Sequence, residues 1–202
     1  MIILREICKF KQKTGKIRRI LKKGNFMSFK FNEPDIKALD SVLKPFSSVG
    51  KEWMLVSAGT SEKYPLYNTM TASWGGFGYL WEKPVAHIYI RPQRHTFKFS
   101  EENEFMSLSF FGGGQKKALG YCGKISGKDE DKAKNIGLNA VLLEPNLIGF
   151  EEANLILKCK KLYTSYLEEK NFLSDEIPNF WYQNKDFHRV YICEIMGFYT
   201  KE

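Results

Sequence analysis

Short β-like segments recur along the chain, and no long amphipathic helix separates them. Residues 84–92, PVAHIYIRP, show the pattern most clearly, because successive side chains alternate between two different faces. Four more segments read as strands: 53–59, 105–111, 153–167 and 188–199. Parallel strands need a crossover connection, usually a helix, whereas antiparallel strands do not. The sequence therefore predicts a mainly β fold with short α insertions, built as an antiparallel, Greek-key-like barrel.

The predicted helices are short. Residues 34–46 carry apolar side chains at helical spacing after Pro34, a residue type suited to the first turn of a helix. Thr96 is a good helix cap, so a second helix is predicted to begin there. Residues 115–139 contain two further helical patterns. The chain of 202 residues is long enough for one such domain.

The positive charge lies at the N-terminus. Of the net charge of +8, all is accounted for by residues 1–26, which hold nine Lys or Arg and one acid. The remaining 22 of the 31 bases are balanced by 22 of the 23 acids. We therefore predict a basic tail over 1–26, disordered or a non-native extension before a start at Met27, and a domain over 27–202. The tail alone raises nucleic-acid or anionic-membrane binding as a hypothesis, and the neutral domain predicts neither.

The cysteines and apolar runs indicate a cytoplasmic protein. The four cysteines show no paired spacing and lie among apolar or β-like neighbours: Cys8, Cys122, Cys159 and Cys193. This is typical of small buried side chains in a reducing compartment, and no metal site is predicted. The apolar run at residues 2–4 is too short for a signal peptide, and no window approaches the ~18 apolar residues of a membrane span.

One polar segment interrupts the β pattern. Residues 68–76, NTMTASWGG, place an amide, three hydroxyls, an indole and two glycines between two β-like runs. Residues 90–96, IRPQRHT, add two guanidinium groups and the predicted helix start. If the segments lie side by side, the hydroxyls, the guanidinium groups and the helix N-terminus form a cradle for a phosphate group.

The aromatic residue in this segment predicts the rest of the ligand. Trp74 and the glycines beside it offer a flat apolar surface that a ring system can approach closely. The expected ligand therefore has a phosphate at one end and a flat heterocycle at the other. The same residue types also fit an ordinary turn and solvated arginines, and their spacing does not decide between these alternatives.

Four segments occur in an order that is typical of one protein family. NTMTASWGGFG, PVAHIYIRPQRHTFKF, FMSLSFF and DFHRVYICEI lie within roughly residues 50–196 and together resemble the flavin reductase-like family of FMN-binding split barrels, which includes flavoredoxins. The resemblance implies FMN as cofactor, NAD(P)H as a possible co-substrate, and a homodimer with the flavin near the interface. It assigns FMN binding to ten residues: Asn68, Thr69, Met70, Thr71, Ala72, Ser73, Trp74, Arg91, Arg94 and Thr96.

The resemblance leaves two functions open. One is an NAD(P)H-dependent flavin reductase, which transfers hydride from nicotinamide to FMN. The other is a flavoredoxin-like electron carrier that has the same site, lacks its own NAD(P)H activity and is reduced by a redox partner protein. No acid–base triad or nucleophile elbow is visible. The single candidate catalytic residue is His188, either a packing histidine or a group that places nicotinamide or, as a cation, stabilises reduced flavin.

The last strand carries two features that bear on this resemblance. Cys193 stands where the family commonly has glycine, which adds a side chain at a position where backbone can approach a ligand or partner. The strand is also aromatic, and three of its side chains fit either a dimer interface or the barrel core: Tyr191, Phe198 and Tyr199.

Overall fold

Antiparallel strands make up most of the protein. The computed structural model describes residues 17–22 and 25–201. Within these ranges the strands are β1 Ile17–Lys22, β2 Asn25–Asn32, β3 Met54–Gly59, β4 Tyr67–Ala72, β5 Gly75–Leu80, β6 Lys83–Ile90, β7 Phe105–Phe110, β8 Ala140–Glu144, β9 Leu147–Phe150, β10 Leu155–Tyr166 and β11 Arg189–Lys201. The predicted mainly β fold with short helices is confirmed.

The helices lie between the strands and are short. They are α1 Ile36–Val42, α2 His95–Glu102, α3 Lys116–Lys124, α4 Lys132–Asn135 and α5 Glu176–Trp181. Asp35 caps α1, because its carboxylate accepts a hydrogen bond from the Ala38 N–H. A short turn and a π-helix over Ser48–Glu52 lead from α1 into β3, and a 3-10 turn over Glu169–Asn171 precedes α5.

Strand β11 organises the sheet because it pairs with three other strands. Nine strands form one sheet, in the order β1-β2-β11-β10-β7-β3-β4, and β6 joins β11 and carries β5. Residues 189–194 of β11 pair with β6, residues 198–201 pair with β2, and β10 pairs along the other edge. Gly197 lies where the partner changes, at φ 148°. A Cβ at this position would lie 2.4 Å from the Phe31 ring of β2. Glycine therefore leaves room for Phe31 at the point where the partner of β11 changes from β6 to β2.

Alternating side chains fill the two faces of the sheet. On β3, Met54 and Val56 belong to one buried cluster and Leu55 belongs to the other, as the period of a strand requires. Helix α3 and the β8–β9 hairpin contribute to the second cluster. The three aromatic side chains of β11 are buried in these clusters and so belong to the core: Tyr191, Phe198 and Tyr199.

The described cysteines also pack in the interior. Cys122, Cys159 and Cys193 are free and buried, as predicted, and Cys8 lies outside the described residues. Burial raises the pKa of Cys122 to about 11 and that of Cys193 to about 12. Cys193 pairs with Ala86 of β6 and joins the barrel core. Its extra side chain, compared with glycine, therefore fills core volume.

Some elements differ from the sequence prediction. Residues 17–22 of the segment predicted as a basic tail form strand β1, which pairs with β2. Strand β2 itself extends across the predicted boundary after residue 26. Residues 1–16 and 23–24 lie outside the described residues, and the domain division at residue 26 stays a prediction. The edge strand β5, the β8–β9 hairpin and α5 were not predicted from the sequence.

Candidate functional site

An open crevice of about 230 Å³ lies where β4 passes into β5 and where β6 ends. The crevice brings residues 70–74 together with Arg91 and Arg94. The two segments that the sequence predicted to converge therefore meet at one place. The complete lining comprises Met70, Thr71, Ala72, Ser73, Trp74, Tyr89, Arg91, Arg94, Gly123, Trp181 and His188.

Three of the predicted ligand-binding residues lie behind the crevice wall. Asn68, Thr69 and Thr96 are all buried, and the Asn68 amide donates a hydrogen bond to the Thr96 hydroxyl at 2.8 Å. The Thr69 hydroxyl donates to the Val56 carbonyl and accepts from the Ser57 hydroxyl. These side chains satisfy one another and support the wall.

The predicted helix cap is wrong by two residues. Helix α2 begins at His95, and the capping position belongs to Arg94, which makes no capping side-chain hydrogen bond. Thr96 is already helical, so its backbone does not have the extended conformation of a cap. The threonine was misread because its hydroxyl is used by Asn68 from a neighbouring strand, a long-range contact that the local sequence does not reveal.

Two cations, one half-buried and one buried, converge at the end of α3. Arg94 donates from Nη1 to the Gly123 carbonyl at 2.7 Å and from Nη2 to the Cys122 carbonyl at 3.5 Å. Lys132, which is 3% exposed, donates from Nζ to the same Cys122 carbonyl at 3.0 Å and to the Ile125 carbonyl at 3.1 Å. The C-terminal end of a helix carries partial negative charge, which favours both cations.

Among the residues that the structure describes, no ion pair neutralises the charge at this end of the site, and Glu130 acts on Lys132 only through its charge at a longer distance. Among the described residues, no carboxylate forms an ion pair with Arg94 or with Lys132. Burial, and then the positive charge of Arg91, lower the pKa of Arg94. Burial lowers the pKa of Lys132 to about 8. This part of the site is therefore suited to an anion.

Arg91 is held quite differently. Its Nη1 donates to the Asp186 carboxylate at 2.5 Å, its Nη2 donates to the Trp181 carbonyl at 2.8 Å, and its Cζ lies 5.1 Å from the Tyr182 ring centre. Gln93 donates to the same carboxylate oxygen. Burial alone would raise the pKa of Asp186, but the hydrogen bonds from Arg91 and Gln93 outweigh it and lower that pKa. Arg91 thus ties the end of β6 to residues 181–186.

Aromatic side chains form the other wall of the crevice. Trp74 is 39% exposed, and the ring of Trp181 meets it edge-on with centres 4.9 Å apart. The His188 ring lies 5.2 Å from Trp74. Gly75 follows the tryptophan at φ 154°, and a Cβ there would lie 2.9 Å from the His87 carbonyl. Glycine therefore allows β5 to begin directly after Trp74 and to pair closely with β6, while the Trp74 ring stays at the crevice.

His188 is a buried, neutral member of this wall. It is 7% exposed, and its Nδ1 lies 2.8 Å from the Tyr182 hydroxyl. Burial, followed by the charge of Arg91, lowers the pKa of His188 to about 4. In the ligand-free protein the imidazole is therefore neutral near pH 7. His188 lies at the crevice, and its role toward nicotinamide or reduced flavin stays a prediction.

Several residues that line the crevice or hold its walls were missed by sequence reasoning. Lys132 lies in a charged stretch that reads as a solvated helix start, and Tyr89 reads only as one face of a strand. Trp181 and Tyr182 come from a connection that carries no motif, and Asp186 opens the segment DFHRVYICEI but was not singled out as a site residue. The aromatic content of that connection, FWYQNKDFH, was the one available signal, since so many rings in a loop need a packing partner.

Solved structures with the same architecture include a flavoredoxin and an FMN-binding protein. Flavoredoxin from Desulfovibrio vulgaris (Miyazaki F) is 19% identical, with a TM-score of 0.57 over 79% of this chain and 72% of its own. An FMN-binding protein from Thermus thermophilus is 20% identical, with a TM-score of 0.56 over 79% of this chain and 78% of its own. This chain has the flavin reductase-like split-barrel fold.

A third structure extends this likeness over more of the chain. The FMN-binding domain of a flavin reductase-like enzyme from Shewanella baltica OS155 is 15% identical, with a TM-score of 0.53 over 94% of this chain and 79% of its own. At these identities the likeness establishes the split-barrel fold. No protein-family model and no curated protein sequence matches the chain.

Two other features bear on the kind of site. Within residues 17–22 and 25–201, no three His, Cys, Asp or Glu side chains are grouped as metal ligands would be. None of the helices in that part of the chain is long and apolar enough to cross a lipid bilayer.

Proposed function

We propose that the crevice binds FMN. The observation that carries the proposal is a pair of cations, the half-buried Arg94 and the buried Lys132, which share the Cys122 carbonyl and form no ion pair with an acid among the described residues. A phosphomonoester carries about −1.5 to −2 charges near pH 7, which matches these two positive charges. Trp74 offers an apolar plane beside them for the isoalloxazine ring. FMN-binding proteins among the structural neighbours support the same ligand.

Comparison of FMN with riboflavin tests this proposal. Riboflavin has the same ring and sugar alcohol but no phosphate. Because a hydrogen bond to a charged group contributes about 1.5–3 kcal/mol, two such cations predict that FMN binds more tightly by at least about 100-fold. The measurement is a fluorescence titration of the ligand-free protein with each flavin. Equal affinities would contradict phosphate recognition.

The proposed activity is NAD(P)H-dependent flavin reduction. FMN supplies the hydride-accepting chemistry when it is bound, and the protein binds and orients it and limits water around it. The crevice is open to solvent, so a nicotinamide has a route to the site. The test is anaerobic addition of NADH or NADPH to the FMN-loaded protein. Loss of the visible flavin band is expected, and a band that persists with both nucleotides would exclude this activity.

A flavoredoxin-like electron carrier is the second candidate. Helix α5 exposes Ile177, Phe180 and Trp181 at one-turn spacing, and Trp181 also lines the crevice. An apolar surface next to a redox site suits docking of a protein partner. The neighbour from Desulfovibrio vulgaris, a flavoredoxin, supports this alternative. Reduction by dithionite without reduction by NADH or NADPH is the result expected for a carrier.

The same α5 surface suits a second copy of the chain. A crevice of about 230 Å³ is smaller than the roughly 300–1,000 Å³ of most ligand pockets, so FMN would extend beyond it. A homodimer through Ile177 and Phe180 would cover the protruding part. Phe180→Asp is expected to give a monomer in light-scattering measurements, and the exposed control Asn184→Asp is expected to stay dimeric. A wild-type monomer at all concentrations would remove this proposal.

A further inference from the structure

We propose that Tyr182 is a positioning residue that fixes the tautomer of His188, so that His188 presents its Nε2–H to the crevice as a hydrogen-bond donor. Only the identity of the acceptor rests on the proposed function: it is the polar edge of the flavin ring, which carries carbonyl oxygens and unprotonated nitrogens. The donor itself is a property of the ligand-free protein.

The contact between the two side chains is short and buried. The Tyr182 hydroxyl lies 2.8 Å from His188 Nδ1, and the residues are 5% and 7% exposed. Both belong to the segment that Arg91 and Asp186 fasten to the end of β6. The His188 ring is further enclosed by Trp74 at 5.2 Å and Tyr89 at 6.4 Å. The imidazole therefore has one defined orientation in the wall.

The direction of the hydrogen bond between the Tyr182 hydroxyl and His188 Nδ1 follows from the donors and acceptors that are present. His188 Nδ1 is the one hydrogen-bond partner that the described residues offer to the Tyr182 hydroxyl. If Nδ1 carried the proton, the hydroxyl hydrogen would be left without an acceptor in a buried site, which costs about 1–3 kcal/mol. Burial raises the pKa of Tyr182, so the hydroxyl remains protonated. The hydroxyl thus donates, and Nδ1 accepts.

The remaining ring nitrogen must then carry the proton. A neutral imidazole has one N–H, so acceptance at Nδ1 places the hydrogen on Nε2. Within the described part of the chain, Nε2 makes no hydrogen bond, and it is not among the buried polar atoms that lack a partner. Because His188 lines the crevice, Nε2–H is accessible from the crevice and is available to a ligand acceptor.

Nitrogen NMR of the ligand-free protein tests the tautomer directly. The chain has three histidines, so long-range proton–nitrogen spectra resolve each ring, and loss of one set of signals in His188→Gln assigns it. The wild type is expected to show the Nε2–H form for His188, and Tyr182→Phe is expected to show averaged shifts of both tautomers. Tyr89→Phe is the matched control, since Tyr89 contacts the ring at 6.4 Å, and the tautomer is expected to be unchanged. An Nδ1–H form in the wild type, or an unaltered Nε2–H form in Tyr182→Phe, would overturn the inference.

Two substitutions of His188 test the donor toward the ligand and do not depend on Tyr182→Phe being folded. In His188→Gln the new amide nitrogen would lie near the position of Nε2, whereas in His188→Asn the shorter amide would reach only the position of Nδ1. His188→Gln is therefore expected to keep FMN affinity within about two-fold, and His188→Asn to lose roughly five-fold, the effect of one hydrogen bond. Equal loss in both variants contradicts a donor at Nε2.

The outcomes separate the inference from the proposed function. If the wild type shows the Nε2–H tautomer and Tyr182→Phe loses it, but the wild type binds no FMN, the proposed cofactor is wrong and the positioning role of Tyr182 stands. If FMN binds with the phosphate preference proposed above but the tautomer is Nδ1–H, the inference is wrong and FMN binding stands.

Discussion

Two arginines three residues apart line the same crevice, and the structure gives them different partners. Arg91 is bound by the Asp186 carboxylate, the Trp181 carbonyl and the Tyr182 ring. Arg94 is bound by two carbonyls at the end of α3 and shares one of them with Lys132. The first guanidinium has its charge neutralised within the protein, and the second does not.

This difference shows how to interpret a basic residue in a ligand site. A guanidinium paired with a carboxylate is already satisfied, so a ligand phosphate would have to compete with the carboxylate. A cation that is held only by carbonyl dipoles keeps its net charge and gains more from an incoming anion. We therefore expect the phosphate to be recognised at the Arg94 and Lys132 end, and we expect Arg91 to serve mainly the architecture of the wall.

The largest expected effect is on FMN affinity when Arg94 is neutralised. Arg94→Gln removes one charge that has no acidic partner among the described residues, so FMN affinity is expected to fall by about 10- to 100-fold. Riboflavin affinity, measured in the same fluorescence titration, is expected to change little because riboflavin has no phosphate. A parallel loss for both flavins would mean that the substitution damages the crevice itself.

A smaller effect is expected from pH through Lys132. Burial lowers its pKa to about 8, so the free protein loses this charge as pH rises through that value. FMN binding then requires proton uptake, and its affinity is expected to weaken by up to about ten-fold per pH unit above pH 8. Below about pH 6 the phosphomonoester gains a proton and affinity falls again. Lys132→Gln is expected to abolish the alkaline decrease, and persistence of that decrease would assign it to another group.

The smallest effect on FMN affinity is expected from Arg91. Arg91→Gln is expected to change FMN affinity by less than about three-fold, but it leaves Asp186, whose side chain is 16% exposed, without its cation. The free energy of unfolding in urea is therefore expected to fall by about 2 kcal/mol, and Arg91→Gln with Asp186→Asn is expected to recover part of it. If Arg91→Gln weakens FMN as much as Arg94→Gln, the distinction between the two arginines fails.

The sequence predicted the fold because its signals are local. The alternation over residues 84–92 and the apolar run over 53–59 correspond to β6 and β3. Both patterns involve only consecutive residues, so the sequence shows them directly. The two strands of the β8–β9 hairpin were missed because they have only five and four residues. Strand β5 was missed because it is rich in glycine, which weakens the strand pattern.

The site was only partly predictable for a related reason. Trp74, Arg91 and Arg94 stand out as residue types in two short segments, and the structure brings them to one crevice. The pairing of Arg91 with Asp186 and the approach of Lys132 to Arg94 join residues 95 and 38 positions apart in the chain. Such pairings depend on the packed fold, so the sequence offered two equivalent arginines where the structure has one paired and one unpaired charge.

The shared acceptor of the two cations is a peptide oxygen, that of Cys122. Its contribution is consequently independent of the side chain at that position and would survive replacement of the thiol by alanine or serine. The contribution requires instead that the nine-residue helix α3, Lys116–Lys124, keeps its position and its C-terminal end. The amino acid at position 122 can therefore change in evolution while the backbone carbonyl still holds the two positive charges close together.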